Sequence, residues 1–172
     1  MRKLSLALLA GSALMAMGSV ASAADLLLDP PAMQEPTVID NGFNFDGMYI
    51  GGFIAGQSVP STYGLGVNLG VNALSDAILF GGELELTALS NSTWSAQATG
   101  KIGALVTENV AIYAFSGIGA HSVNDGYVPL GAGLEFGLTD GLSLKTEYQH
   151  NFDLSNSAQD ADVVKIGLNW HF

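Results

Sequence analysis

Apolar and polar residues alternate with a period of two along most of the chain after residue 44. The clearest run covers residues 63–74, where Tyr63, Leu65 and Val67 alternate with glycine and asparagine. A period of two places successive side chains on opposite faces of a β-strand, whereas an amphipathic helix repeats its apolar residues at spacings of three and four. The pattern therefore predicts β-strands with one apolar face.

Eight stretches of this kind are separated by turn signals such as Thr139-Asp140-Gly141. The fifth stretch has small or apolar residues on both faces, so its register stays open, as does the register of the first. Pro129 removes one backbone donor from the sixth stretch, which predicts a later start or a bulge there. The predicted strands are 45–57, 63–74, 78–88, 94–106, 110–121, 127–138, 142–152 and the terminal run 165–172.

The N-terminus predicts export from the cytoplasm. Arg2 and Lys3 precede a mostly apolar run at 4–17, and Ala21-Ser22-Ala23 has the A-x-A form of a cleavage site. We therefore expect a signal peptide over residues 1–23. Residues 24–44 contain prolines and acids that break regular structure, which predicts a flexible periplasmic tail before a domain at 45–172.

Composition excludes several classes of protein. The chain has no cysteine, which excludes disulfide scaffolds and cysteine-based metal or redox sites. After cleavage, three lysines (Lys101, Lys145 and Lys165) remain against sixteen acids, so nucleic-acid binding is not expected. His121, His150 and His171 fall on three different predicted strands, and His171 lies at the end opposite the other two, so we expect no metal site. No cofactor is expected either.

An exported apolar chain without a run of ~20 apolar residues for a membrane helix fits a membrane β-barrel. Consecutive antiparallel strands can close on themselves and so leave no unpaired edge in lipid. The sequence thus predicts an all-β fold, an eight-stranded antiparallel up-and-down transmembrane β-barrel. We expect it to lie in the bacterial outer membrane and to contact outer-membrane lipid.

The terminal strand carries an additional pattern. Lys165, Gly167, Trp170 and Phe172 occupy the places of a polar-x-Gly-x-x-apolar-x-aromatic motif. This motif resembles the C-terminal signal of bacterial outer-membrane barrels. The resemblance implies that the outer-membrane assembly machinery reads this segment, and we also expect the strand to close the barrel against 45–57.

A wider resemblance covers most of residues 43–172. The first-strand segment 43–52 and the segments 131–136 and 138–148 are similar to a family of small alphaproteobacterial outer-membrane β-barrels, often labelled porin-family or opacity-like surface antigens. Met48 departs from the family pattern at its first aromatic position. The resemblance implies an outer-membrane location and an envelope-structural or antigenic role, without a shared chemistry.

The predicted register places seven charged side chains inside the barrel. An eight-stranded barrel is only wide enough for its side chains to fill it, so these charges should pair in a plug. The alternative is a narrow porin-like channel for small solutes or ions, lined by the same groups. The predicted lumen network is Glu83, Glu85, Lys101, Glu135, Lys145, Glu147 and Lys165.

Aromatic residues near both strand ends predict membrane girdles. The predicted girdle is Tyr63, Trp94 and Tyr148 at one end, and Phe45, Phe80, Phe136, Trp170 and Phe172 at the other. Some envelope enzymes are also built on small barrels. His150 and Ser155 are five residues apart, whereas the pattern of barrel deacylases is His-x-Ser with a following carboxylate, so no catalytic residue is expected.

Overall fold

The computed structural model describes residues 42–122, 126–155 and 157–172, and these form one closed antiparallel barrel. Each strand pairs with its sequence neighbours, and the last pairs with the first, so the predicted fold class is confirmed. The strands are β1 (Gly47–Gln57), β2 (Thr62–Ser75), β3 (Ile78–Leu89), β4 (Trp94–Thr107), β5 (Val110–His121), β6 (Gly126–Thr139), β7 (Leu142–Asp153) and β8 (Ala161–His171).

The barrel closes between its two terminal strands, as the sequence predicted. Ile50 pairs with Trp170, Phe53 with Gly167, and the ladder runs on to Gln57. In a closed sheet, the backbone N–H and C=O groups of every strand have a neighbouring strand to pair with. An apolar environment requires this, because it offers no water to these groups.

The two ends of the barrel differ in their connections. At one end, here called the turn end, two-residue turns at 76–77, 108–109 and 140–141 join the strands. The first strand, β1, begins at this end, and the last strand, β8, finishes there. At the other end, here called the loop end, the connections are longer. The longest lies between β7 and β8 and contains a 3₁₀ turn at Ser157–Gln159.

The strand faces follow the alternation in the sequence. Along β8, every second residue is buried, and the residues between them are exposed and mostly apolar. The structure also fixes the two registers that the sequence left open. Tyr49 and Phe53 of β1 and Tyr113 and Phe115 of β5 face the lumen, because glycines on neighbouring strands leave room for their rings.

Pro129 lies in β6 without shifting the strand register. β6 begins at Gly126, one residue before the predicted start, so the later start predicted for this stretch is wrong. The β5–β6 ladder has the same register at Leu130 and at Tyr127. The two residues between them form no ladder pair with β5, because proline has no N–H to donate. The hydroxyl of Ser116 donates to the Pro129 carbonyl at 2.9 Å and provides a local replacement contact.

The predicted signal peptide and residues 24–41 of the predicted tail lie outside the described residues. Of the remaining tail residues, Phe43 packs against the barrel: its side chain is buried, and its N–H donates to the Glu108 carbonyl at 3.1 Å. Within the described ranges, no helix is long and apolar enough to cross a membrane.

Candidate functional site in the barrel lumen

The seven predicted lumen residues are all buried inside the barrel. They come from five strands (β3, β4, β6, β7 and β8), and each stands at an inward position of its strand. The least exposed is Glu135, at 0%, and none exceeds 7% exposure. The alternation therefore brings charges that are distant in sequence into one narrow interior.

Lys145 lies at the centre of this network. Its Nζ is 2.7 Å from Glu83 Oε1, 3.5 Å from Glu85 Oε1 and 3.5 Å from Glu147 Oε1. Lys165 donates to Glu85 and lies 3.7 Å from Glu147 Oε2. Because β3 does not pair with β7 or β8, the contacts of the two lysines with Glu83 and Glu85 cross the lumen. Two lysines thus neutralise much of the charge of three glutamates.

Aromatic rings complete the surroundings of the ammonium groups. Lys101 Nζ lies 4.6 Å from the ring centroid of Tyr49 and 4.8 Å from that of Tyr113, and it donates to the Tyr49 hydroxyl at 2.9 Å. Lys165 Nζ lies 5.4 Å from the Phe53 ring centroid. These distances are in the range of cation–π attraction, which is strongest where water is excluded.

The tyrosines also connect the network across the barrel. Tyr49 donates to Glu83 Oε2 at 2.5 Å, and Tyr113 donates to Glu147 Oε1 at 2.8 Å. Tyr49 fits because Gly70 faces it: a Cβ at that glycine would stand 2.2 Å from the Tyr49 hydroxyl oxygen.

Glu135 forms a second polar layer nearer the turn end. Its Oε1 accepts hydrogen bonds from the Ser143 hydroxyl at 2.5 Å and from the Asn169 amide at 3.0 Å. His171 Nε2 lies 2.9 Å from the same oxygen, and its ring stacks on Tyr49 at 5.2 Å. This layer therefore joins β6, β7 and β8 to β1.

An apolar cluster covers the Glu135 layer at the turn end. It contains the buried side chains of Phe43, Phe45, Leu79 and Ala111. The prediction that Phe45 belongs to the membrane girdle is wrong, because its side chain is fully buried and packs 4.6 Å from the Phe43 ring inside the barrel. Phe45 precedes β1, so strand alternation did not determine where its side chain points.

The loop end contains open space instead. A cavity of about 310 Å³ lies at this mouth and is bordered by Gln57, Asn91, Thr93 and His121 among others. A second, much smaller space of about 20 Å³ is bordered by Gln97, Gln149 and Lys165 among others. The lumen is thus open at one mouth and filled by side chains beneath it.

Glu83, Glu85 and Glu147 approach one another closely enough to be considered as metal ligands, with oxygens within 4.8 Å. The ammonium groups of Lys145 and Lys165 lie among these carboxylates. The lysines thus provide the positive charge that a cation would otherwise supply, so the arrangement fits a network of ion pairs better than a metal site.

Several lumen residues were missing from the predicted network. Tyr49, Tyr113, Asn169 and His171 bind its carboxylates directly. Their inward parity could have identified Asn169 and His171, which alternate with the apolar residues of the last strand. The two tyrosines lie in the strands whose register was ambiguous, so no comparable signal was available.

The predicted assembly motif and the predicted girdle occupy different faces of the barrel. Lys165 and Gly167 of the predicted assembly motif point inward, whereas Trp170 and Phe172 are exposed at 56% and 67%. The remaining girdle residues face outward. They are Tyr63, Phe80, Trp94, Phe136, Tyr148, Trp170 and Phe172.

Comparisons with known proteins define the class of fold. No family model and no curated protein matches this sequence. Among solved structures, the chain is similar to a de novo designed transmembrane β-barrel, with a TM-score of 0.60, 14% identity and coverage of 76% of this chain and 99% of that chain. It is also similar to the N-terminal β-barrel domain of Pseudomonas aeruginosa OprF, with a TM-score of 0.57, 14% identity and coverage of 76% and 99%.

A third similar structure is the outer-membrane protein Ail of Yersinia pestis, with a TM-score of 0.54, 12% identity and coverage of 74% and 99%. At these identities the likeness concerns the fold. The chain therefore has the fold of a small transmembrane β-barrel. Its resemblance to an alphaproteobacterial surface-antigen family stays a prediction.

Proposed function

We propose that the protein is a non-catalytic outer-membrane β-barrel that contributes to envelope structure and has a closed lumen. The observation that carries this proposal is the contact of Lys145 on β7 with Glu83 and Glu85 of β3, on the opposite side of the barrel. A solute passing through would have to separate these buried ion pairs, and an unpaired buried ion costs several kcal/mol.

The outer surface supports the membrane location. Exposed leucines, isoleucines and valines cover the middle of the strands, with examples at Leu69, Leu84, Ile112 and Ile166. A soluble barrel would bury an apolar surface of this extent, whereas a membrane barrel presents it to lipid. The predicted signal peptide and the similarity to solved membrane barrels are consistent with export and insertion.

The proposed orientation has the turn end in the periplasm and the loop end outside the cell. Short turns on the periplasmic side and longer loops outside are usual in such barrels. The loop end would then present a small acidic surface that includes Asp153 and Asp160. We also propose that the assembly machinery recognises the terminal motif, and that the protein belongs with the porin-family surface antigens that it resembles.

The channel alternative receives less support from the geometry. Beneath the mouth only about 20 Å³ of space remains where Lys165 is met, and the apolar cluster around Phe45 closes the turn end. The amide and carboxylate groups that would line a channel bind one another instead. One example is Gln97 Nε2, which donates to Glu85 Oε2 at 2.6 Å.

Planar-bilayer recording of the refolded protein tests the closed lumen. We expect no steady conductance. A reproducible conductance that changes in the variants Lys101→Gln or Glu135→Gln would contradict the proposal and favour the channel. Heat-modifiable migration on a gel and insertion into vesicles test the membrane barrel, and detergent sensitivity of a deletion strain tests the envelope role.

A further inference from the structure

The cavity at the loop-end mouth brings together side chains from three parts of the barrel rim. Gln57 ends β1, Asn91 and Thr93 lie in the connection between β3 and β4, and His121 ends β5. The volume of about 310 Å³ would hold about ten waters at liquid density and lies at the lower limit of ordinary ligand pockets. The cavity is therefore suited to a small ligand.

Several polar groups at this mouth have no hydrogen-bond partner among the described residues. The Gln57 amide N–H donates to the Val59 carbonyl at 2.6 Å, which leaves Gln57 Oε1 unused. Asn91 Oδ1 accepts the Thr93 backbone N–H at 3.2 Å and the Thr93 hydroxyl at 2.5 Å, which leaves the Asn91 amino group unused. The His121 ring has a stacking contact, but neither of its nitrogens is hydrogen-bonded within the described chain.

The His121 ring is held in place by a buried neighbour. It stacks on the Tyr127 ring with centroids 4.6 Å apart, and the Tyr127 hydroxyl donates to Gln97 Oε1 at 3.1 Å. Tyr127 in turn fits against Gly119, where a Cβ would stand 2.2 Å from the tyrosine ring. A binding group whose orientation is fixed before the ligand arrives loses less conformational entropy on binding.

The amide side chains next to the smaller space of about 20 Å³ already bind one another. Gln97 Oε1 accepts from Tyr127 and from Gln149, and Gln97 Nε2 donates to Glu85 Oε2 at 2.6 Å. These amides therefore have little capacity left for a ligand. Recognition is confined to the unused groups around the larger cavity.

The charge at the mouth disfavours an anionic ligand. After residue 3 the chain has three lysines and no arginine, and all three lysines are buried in the lumen. Asp153 is the only acidic side chain among the described residues that border the cavity, and its Oδ1 accepts the Ser155 backbone N–H at 2.8 Å. A phosphate or carboxylate would thus meet no lysine or arginine to replace its hydration. A single carboxylate also gives too few oxygen ligands for a divalent cation.

We propose that the loop-end mouth binds a neutral sugar ring. Sugar hydroxyls both donate and accept, so one ligand can satisfy the acceptor of Gln57, the donor of Asn91 and the ring nitrogens of His121. The aliphatic side chains of Val59 and Leu89 border the same cavity and provide an apolar wall for the C–H groups of the sugar. This inference goes beyond the proposed function and holds for either orientation of the barrel.

NMR titration of the isotope-labelled full chain, refolded in a phosphocholine detergent that contains no sugar, tests the proposal. The probes are glucose, galactose and mannose, each compared with its own uronate, which differs only in carrying a carboxylate. We expect at least one of the hexoses to shift the amide resonances of Asn91 and His121 saturably. That hexose should bind about fivefold or more tightly than its uronate, because the carboxylate finds no basic partner at the mouth.

Two variants test the residues named in the proposal. His121→Phe keeps a ring beside Tyr127 but removes both nitrogens, and Asn91→Ala removes the amide. Each should weaken binding of the preferred hexose about fivefold, which corresponds to the loss of one hydrogen bond. His150→Phe is the matched control, because it removes an imidazole at the same end of the barrel from a position that does not border the cavity. It should leave binding unchanged.

The proposal would be overturned by the absence of a saturable shift with any of the hexoses, by uronates that bind as tightly as their hexoses, or by binding that is unchanged in both site variants. A dispersed amide spectrum establishes that the parent protein and each variant are folded. A folded barrel that binds no hexose therefore contradicts the sugar site and leaves the proposed envelope function standing.

Discussion

Lys145 Nζ lies 2.7 Å from Glu83 Oε1, although the two residues belong to strands that do not pair with each other. The contact therefore spans the lumen and joins β3 to β7 through side chains. Glu85 and Glu147 approach the same ammonium group. The network thus links opposite walls of the barrel as well as filling its interior.

Replacing Lys145 tests how much these contacts stabilise the barrel. Lys145→Gln leaves buried carboxylates without their central partner, and breaking a buried pair in this way costs about 3–5 kcal/mol. We expect a loss of that size in the free energy of unfolding, measured by urea titration in lipid vesicles with tryptophan fluorescence.

Lys101→Gln is the matched control for this measurement. Its ammonium group contacts tyrosine rings and one hydroxyl, with no carboxylate within ion-pair distance in the described structure. Loss of that hydrogen bond and of the cation–π contacts should cost about 2 kcal/mol, less than the loss expected at Lys145. Equal losses in the two variants would show that the ion pairs of Lys145 have no special role.

The sequence was sufficient to predict most of the fold because one physical rule governs it. Where one face meets an apolar environment and the other a polar interior, alternation determines both the strand and its inward side chains. Residues such as Glu135 and Lys165 could therefore be placed without a structure. Alternation gave no answer where both faces are apolar or small, as around Tyr113.

The individual side-chain contacts could not be predicted from the sequence, for a different reason. Which lysine meets which glutamate depends on the stagger between strands on opposite walls, and no local pattern records that quantity. Phe45 shows a related limit, because it precedes the first strand and its direction depends on packing with Phe43.

Glycines allow close contact between neighbouring strands at defined positions, which a single substitution can test. A Cβ at Gly117 would stand 1.9 Å from the Ala98 carbonyl oxygen, which belongs to the backbone and cannot rotate away. We expect Gly117→Ala to lower the unfolding free energy by about 1–3 kcal/mol, as overpacking does. Urea titration of the refolded barrel measures the change.

Gly82→Ala is the comparison for this variant. Its nearest neighbour would be the Thr99 carbonyl oxygen at 3.8 Å, an ordinary van der Waals distance. This variant should match the parent protein. If Gly82→Ala were as damaging as Gly117→Ala, the effect would come from adding any side chain to the strands and not from close contact.

Phe45→Ala tests whether the apolar cluster at the turn end or the charged network around Lys145 closes the lumen. Removing a fully buried phenylalanine costs about 3–5 kcal/mol, so the variant should unfold at lower urea concentration. The ion pairs around Lys145 stay in place, and we therefore expect planar-bilayer recordings of the variant to remain without steady conductance. A steady conductance would show that the apolar cluster, and not the charged network, blocks ion flow through the lumen.

The terminal phenylalanine should matter for assembly more than for stability. The Phe172 side chain is 67% exposed, and the hydrogen bond of the residue to the Met48 carbonyl comes from its backbone N–H at 3.0 Å. Phe172→Asp should therefore refold in vitro into detergent micelles with nearly the stability of the parent protein. In cells it should reach the outer membrane poorly, because the resemblance of the terminal motif implies that the assembly machinery reads this aromatic residue.

Phe152→Asp is the control for this variant, because Phe152 is an outward aromatic residue at the loop end with 42% exposure. It should be assembled better than Phe172→Asp. Membrane fractionation with heat-modifiable gel migration measures both, and normal assembly of Phe172→Asp would contradict the proposed recognition of the terminal strand.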